Sequence, residues 1–328
     1  MKQLVFEAPN KHKIVEVDDP QIKSPDDVII DVKGVGLCGT DLHIYRGHRK
    51  VEFPHVSGHE CVGYVSQVGS AVTSVKPGDY VTMEPNFMCL SCTTCLSGHK
   101  NLCKSKSVVG LTIPGCLAEK TWAPADYVWK LPSHMSIEEA ALIETSTVAL
   151  SGVKKAQIGV GEKVLILGVG PIGIMATQLA RLNGGHVHVA EKYQERLNMA
   201  EEMGAVKCYN AEKELPPQEY FDVVIDAAGV PPTLRSTTDH VRSGGRIVMI
   251  GTPSERVDMD IVAIIRRELK VLGSVACVTE FPEIIDLISS GDLRVKEVAT
   301  HTFSLEDTAK GFDLMEEGKA LKPVILID

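Results

Sequence analysis

Lys163 to Ala176 reads K-V-L-I-L-G-V-G-P-I-G-I-M-A, and this stretch decides the fold. Val164 to Leu167 is a short, wholly apolar run, the pattern of a strand buried on both faces. Gly168-Val169-Gly170-Pro171-Ile172-Gly173 follows as G-x-G-x-x-G, and Ile172 to Leu182 then carries apolar residues at helical spacing. The glycine pattern alone is weak; between a strand and a helix it is a dinucleotide fingerprint. Gly168 permits the tight turn, Gly170 lets the backbone approach a pyrophosphate, and Gly173 allows close helix–strand packing. The helix N-terminus offers unpaired N–H groups to an anion, and Pro171 suits the first helical turn, where its missing N–H costs little.

Downstream the alternation continues: a strand over His186 to Ala190, a helix over Gln194 to Met203 ended by Gly204, and strands over Phe221–Ala227, Arg246–Gly251 and Val271–Gly273. This predicts a doubly wound α/β parallel sheet of the Rossmann kind. Glu191 ends the second strand, where a carboxylate would accept from both adenosine ribose hydroxyls and repel a 2′-phosphate. NAD is therefore expected over NADP. Arg196 lies about a turn further on, placed to cover the adenine or ribose, and Lys192 is read as solvated. A helix over Glu280–Ser289 and a strand over Pro323–Ile327 close the chain.

Upstream of about residue 145 the sequence changes to short β-branched runs punctuated by Gly and Pro, an antiparallel β pattern. Cys89, Cys92, Cys95 and Cys103 fall in a single loop there. Four thiolates arranged tetrahedrally close a zinc site with no open position, so the loop is read as stapled by a structural zinc. The x2 spacing is poor for disulfides, and the gap to Cys103 departs from the ferredoxin run. The remaining cysteines are Cys38, Cys61, Cys116, Cys208 and Cys277. Cys38 in G-L-C-G-T-D-L-H and His59 in S-G-H-E are the candidates for a second, catalytic metal, which needs about three protein ligands and an open position. Glu144 is a carboxylate in the apolar stretch A-L-I-E-T-S-T, costly to bury without a cation. Glu60 is either a ligand or a partner of one, and Asp41 either caps a turn or shapes the metal site. Ser136 to Leu150 reads as one helix with a Ser136/Glu139 capping box.

Composition narrows the class. A net charge of −9 over 328 residues disfavours nucleic-acid binding. No apolar run reaches the ~18 residues of a membrane span. The charged N-terminus is unlike a secretory signal and the nine cysteines suit a reducing compartment, so a cytoplasmic location is expected.

Taken in order, G-L-C-G-T-D-L-H-I-Y, G-H-E, V-K-P-G-D-Y-V, the E-P-N-F-M-C run with its three further cysteines, and G-V-G-P-I-G-I-M-A resemble the zinc-dependent medium-chain dehydrogenases, in the branch holding sorbitol (polyol) and threonine dehydrogenases. The resemblance spans almost the whole chain. It implies a GroES-like catalytic domain over 1–147 and 275–328, with the structural zinc loop at 89–103, and a Rossmann NAD-binding domain over 148–274. It implies two zinc ions per chain, with Cys38, His59 and Glu144 on the catalytic ligand positions and Glu60 beside them. Thr40 and His43 fall on proton-relay positions. The implied reaction is NAD-linked oxidation of a small alcohol to a ketone, by a homo-oligomer (dimer or tetramer).

The substrate is less sharply drawn. Asn86 stands where threonine dehydrogenases carry a histidine, whereas His43-Ile44-Tyr45 and the run from Val109 to Cys116 resemble that branch. Ile44 replaces a tyrosine of sorbitol dehydrogenases. Tyr45 and Arg266 are candidate substrate contacts. A secondary alcohol of a polyol, sugar alcohol or amino-polyol is expected, with L-threonine as the alternative. A non-catalytic dinucleotide-binding relative is disfavoured because every zinc and relay position is filled. His186 and His188, two apart on one strand, are read as sheet-face residues rather than a metal pair.

Overall fold

The computed structural model describes residues 1–276 and 279–328; Cys277 lies outside the described residues. The chain divides into two compact units, one of Met1–Glu144, Phe281–Ser289 and Val295–Asp328, the other of Thr145–Glu280 and Ser290–Arg294. The expected boundaries were 147/148 and 274/275.

In the first unit the strand Asp27–Gly36 organises a seven-stranded sheet. Its run D-V-I-I-D-V-K-G-V-G is buried at eight of ten positions, because it is paired on both sides and covered on both faces. Glu60–Val68, Lys120–Pro124 and Pro323–Leu326 all pair with it antiparallel. An edge strand, His301–Ser304, departs from the antiparallel expectation and runs parallel to Pro323–Leu326. Leu4, Phe6, Ile30, Val35, Leu37, Leu117, Phe312 and Ile325 fill the core, so both ends of the chain contribute to it.

The helix expected over 136–150 is broken into Ile137–Ala140 and Ile143–Ala156. Its start is as read: Ser136 Oγ accepts from Glu139 N at 3.2 Å, and Glu139 Oε2 accepts from Ser136 N at 2.8 Å. The break brings the Ala141 carbonyl against Gly36, where a Cβ would sit 2.7 Å from it. Only a glycine permits that approach.

In the second unit six parallel strands run in the order Lys207–Asn210, His186–Glu191, Lys163–Leu167, Phe221–Asp226, Val241–Met249, Lys270–Gly273. The order turns back beside Lys163–Leu167, which is where a doubly wound sheet opens its ligand crevice. Leu165, Val224, Ile247 and Phe221 form the core on one face. His186 and His188 do face the same way, but His188 sits among Tyr209, Tyr220 and Phe221, with Nδ1 3.3 Å from Tyr209 Oη. Burial and the nearby Lys207 and Lys163 hold its pKa below the usual histidine value.

Candidate metal centres and dinucleotide site

Cys38 is the N-cap of the helix Gly39–Tyr45, and that helix carries Thr40, Asp41 and His43. Asp41 is wholly buried. Its Oδ2 accepts from Cys38 N at 2.9 Å, and its Oδ1 accepts from Ser57 Oγ at 2.5 Å and Gly58 N at 3.0 Å. The same Oδ1 lies 3.6 Å from His59 Nδ1. One carboxylate thus caps a helix, fixes the Gly58 turn and faces the outer nitrogen of His59. Burial works to raise the Asp41 pKa, but His59, Ser57 and the Cys38 amide outweigh it and hold the acid down to about 2. For His59 burial works to lower the pKa, and Asp41 overrides it, so the ring is held well above the usual histidine value.

The result is a compact donor set. One ligand atom each from Cys38, His59 and Glu60 lie within 4.8 Å of one another. His59 Nε2 faces Glu60 Oε1 at 4.0 Å. Sulfur, imidazole nitrogen and carboxylate oxygen are zinc donors, and a histidine whose other nitrogen meets a carboxylate is oriented as metal-bound histidines are. The residues therefore fit a zinc ion. Glu60, expected beside the ligands, stands within the trio; Glu144, expected as the third ligand, does not. Glu144 is close enough to be affected: burial, then the neighbouring Glu60, push its pKa up to about 7.

The second centre fits as well. Cys103 Sγ is 3.4 Å from Cys89 Sγ and 4.0 Å from Cys92 Sγ. Tetrahedral zinc with Zn–S of ~2.3 Å separates its sulfurs by about 3.8 Å, whereas a disulfide brings them to ~2.05 Å. Backbone N–H groups point at sulfur, Cys89 N to Cys103 Sγ and Cys92 N to Cys89 Sγ, each at 3.4 Å. The amides of Ser91 and Cys92 favour a charged Cys89, lowering its pKa to about 6. All four thiols gather within one cluster.

In the other unit, Gly168 adopts φ +85°, and a Cβ on Gly173 would fall 2.0 Å from the Gly168 carbonyl oxygen. A Cβ on Gly170 would meet nothing within 4 Å, leaving the space where a pyrophosphate approaches. Gly170 caps the helix Pro171–Leu182, with Pro171 in its first turn. Glu191 ends its strand with 9% exposure. Its Oε2 accepts from Val169 N at 3.1 Å and its Oε1 from Lys192 N at 2.8 Å. The carboxylate so ties the second strand to the glycine loop and keeps lone pairs for further donors. Arg196 Nη1 is 3.9 Å from Glu191 Oε2, and its guanidinium lies 4.6 Å from the Tyr193 ring centre.

Of the relay candidates, Thr40 is partly exposed and His43 exposed. Partial withdrawal from water, then His48 and Arg49, lower the His43 pKa against the pull of Glu316. Tyr45 is a correction. It is 5% exposed, stacked on Phe312 at 5.1 Å and hydrogen-bonded to His12 Nδ1 at 3.1 Å, so it belongs to the core rather than to a substrate pocket. A helix residue two positions after the exposed His43 points to the opposite face, a signal readable in the sequence. Arg266 is exposed at the end of the helix Ile261–Arg266. Sequence reading missed Lys322, whose buried ammonium donates to Glu60 Oε1. Nothing local marks it.

Residues 24–133 match the alcohol dehydrogenase GroES-like domain, and residues 171–290 match the zinc-binding dehydrogenase family. D-xylulose reductase A of Aspergillus oryzae is 34% identical over 341 residues, covering 98% of this chain and 95% of that protein. L-threonine 3-dehydrogenase of Bacillus licheniformis is also 34% identical, over 92% of this chain and 91% of its own length. The crystal structure of galactitol-1-phosphate dehydrogenase from Escherichia coli superimposes with a TM-score of 0.93 at 28% identity, covering 99% of this chain and 100% of that one. Two zinc-fitting centres on a GroES-like unit, a glycine loop on a six-stranded Rossmann sheet, and likeness over nearly the full length lead to one conclusion: this chain belongs to the zinc-dependent medium-chain dehydrogenases, which act on alcohols and polyols with a nicotinamide dinucleotide.

Proposed function

We propose that this enzyme oxidises a secondary alcohol of a polyol, sugar alcohol or amino-polyol to the ketone, using NAD in preference to NADP. The observation that carries the reading is the sulfur, nitrogen and oxygen trio of Cys38, His59 and Glu60, with the outer nitrogen of His59 facing Asp41. When bound, zinc supplies Lewis acidity that lowers the alcohol's pKa, and the nicotinamide supplies the hydride acceptor. Cys38, His59 and Glu60 would hold the metal, with Asp41 fixing the tautomer and orientation of His59.

The protein's own residues then manage the proton. The Thr40 hydroxyl accepts it from the substrate alcohol while passing its own proton to His43, whose pKa its surroundings lower and which hands the proton on towards solvent. Glu144, half-buried beside Glu60, would accept from a neighbouring hydroxyl of the substrate, which favours a polyol over a simple alcohol. The names of the xylulose and galactitol-phosphate relatives agree with that class. Glu191 would accept from the ribose hydroxyls, and its charge disfavours a 2′-phosphate. Four reduced thiols at 89–103 suit a cytoplasmic enzyme, and we read it as a homo-oligomer. L-Threonine stays as the second reading, because the threonine dehydrogenase relative is equally identical.

The test is NADH formation from a panel of polyols, polyol phosphates, amino-polyols, L-threonine and simple alcohols, with zinc determined on the same sample. A polyol-class substrate at two zincs per chain is expected, and turnover of threonine alone would overturn the substrate class. Glu60→Gln should lower occupancy of one zinc. Glu144→Gln should keep both zincs and NADH binding while turnover falls; loss of zinc in that variant instead would make Glu144 the third ligand.

A further inference from the structure

Lys322 is 3% exposed, just ahead of the strand Pro323–Leu326. Its ammonium donates to Glu60 Oε1, across 262 residues of sequence. Burial would push the Lys322 pKa down, yet Glu60, Cys38 and Glu144 more than offset it and hold the group above the usual lysine value. The surrounding fold makes room for this pair. A Cβ on Gly36 would sit 2.2 Å from Glu60 Oε2 and 3.2 Å from Lys322 Cε. The same Oε1 that meets Lys322 lies 4.0 Å from His59 Nε2, so Glu60 faces the cation and the metal ligands at once.

We propose that Lys322 is a built-in counter-cation of the catalytic metal centre: it compensates the buried Glu60 carboxylate before metal arrives, and in doing so limits how tightly the metal is held. This rests on the reading that Cys38, His59 and Glu60 bind zinc. The physical argument is one of linkage. Without metal, the ammonium compensates the buried Glu60 carboxylate directly, and taking one partner out of such a buried pair is costly. With a dication bound, the carboxylate is compensated twice, and two cations face each other in a medium that screens them poorly. Removing the ammonium therefore raises the free energy of the metal-free form more than that of the loaded form. The difference must appear as tighter metal binding. On this account Lys322 also favours exchange of this zinc over that of the four-cysteine centre.

The experiment uses enzyme expressed and purified with zinc present, as wild type, Lys322→Met, Lys322→Gln and Lys322→Arg. Each is titrated with EDTA at pH 8 while released zinc is read with a chromogenic indicator. Wild type should release two zincs in separate steps, the four-cysteine centre serving as an internal standard. Lys322→Met and Lys322→Gln should need roughly tenfold more chelator for the first step, with the second unchanged, and Lys322→Arg should behave as wild type. The melting temperature of the chelated form should fall more than that of the loaded form in both neutral variants. A first step that is unchanged or earlier, with chelated and loaded forms destabilised alike, would reduce Lys322 to an ordinary structural ion pair. One zinc per chain in the wild type would instead overturn the underlying zinc reading.

Discussion

Asp226 gives the sharpest test of the physical account of the dinucleotide unit. It ends the strand Phe221–Asp226 with no exposed surface. Its Oδ2 accepts from Gly229 N at 2.8 Å and its Oδ1 from Thr233 Oγ1 at 2.5 Å. These bonds shape the turn whose Ala228 packs on Gly168, where a Cβ would lie 2.6 Å from Ala228 Cβ. Burial outweighs the donors and pushes the Asp226 pKa up from 3.8 to about 6. The folded form therefore binds the proton more tightly than the unfolded chain does. This contribution to stability is full below about pH 4 and is lost as pH rises through 6, the loss being about 1.5 kcal/mol at pH 5 and about 3 kcal/mol at pH 8. Asp226→Asn removes the titration while keeping both contacts. Asn Oδ1 accepts from Gly229 N, and Asn Nδ2 donates to Thr233 Oγ1, whose own proton already reaches Val230 O at 3.0 Å. The variant should melt about 6–10 °C above wild type at pH 8, with the gap roughly halved at pH 5 and NADH binding intact. Thermal unfolding of both proteins at the two pH values measures this. A variant no more stable than wild type at pH 8, or a gap that does not shrink on acidification, would refute the reasoning.

Gly173→Ala would place a Cβ 2.0 Å from the Gly168 carbonyl oxygen, so NADH binding followed by nicotinamide fluorescence should weaken at least about tenfold while the zinc content holds. Tyr45→Phe removes only the hydroxyl that meets His12, leaving the stack on Phe312. Its kcat and KM should stay within about twofold of wild type, with a stability loss of about 1 kcal/mol, and a large rise in KM would return Tyr45 to the substrate pocket. Cys103→Ser should cost one zinc per chain by metal analysis and lower the melting temperature, since Cys103 sulfur lies against both Cys89 and Cys92. Asp41→Ala leaves the amides of Cys38 and Gly58 and the Ser57 hydroxyl without their shared acceptor. The zinc of the Cys38 centre should then be the more easily lost, read as reduced zinc per chain after dialysis.

The parts legible in the sequence were those written in local patterns. The glycine loop, the strand before it and the helix after it form one continuous segment, so their geometry follows from spacing alone. The Ser136/Glu139 capping box is likewise local, and so is the four-cysteine loop. Less legible were short elements with no apolar periodicity: the strand Lys207–Asn210, read as K-C-Y-N, and the helices Pro231–His240 and Ile261–Arg266. The break at Ala141 and Leu142 also lay beyond reach, because the segment is apolar on both sides of it. What interrupts the helix is tertiary, the seating of the Ala141 carbonyl on Gly36.

The third candidate donor shows why ligand sets resist sequence reading even where motifs are plain. Glu144 looked the stronger choice because a carboxylate in an apolar stretch demands a partner. That inference concerns cost, however, and geometry decides coordination. Glu60 begins the strand Glu60–Val68 directly after His59, and Gly36, opposite it on the neighbouring strand, leaves the space its carboxylate needs. Its compensating charge comes from Lys322, near the other end of the chain. Asp41 makes the converse point. Capping and shaping the metal site were alternatives in the sequence, and they turn out to be one arrangement, since one Asp41 oxygen caps the helix start at Cys38 while the other holds Gly58 and faces His59. A carboxylate three residues after a cysteine ligand orients two ligands through the backbone it caps, so the precision of the centre derives from secondary structure rather than from the ligands themselves.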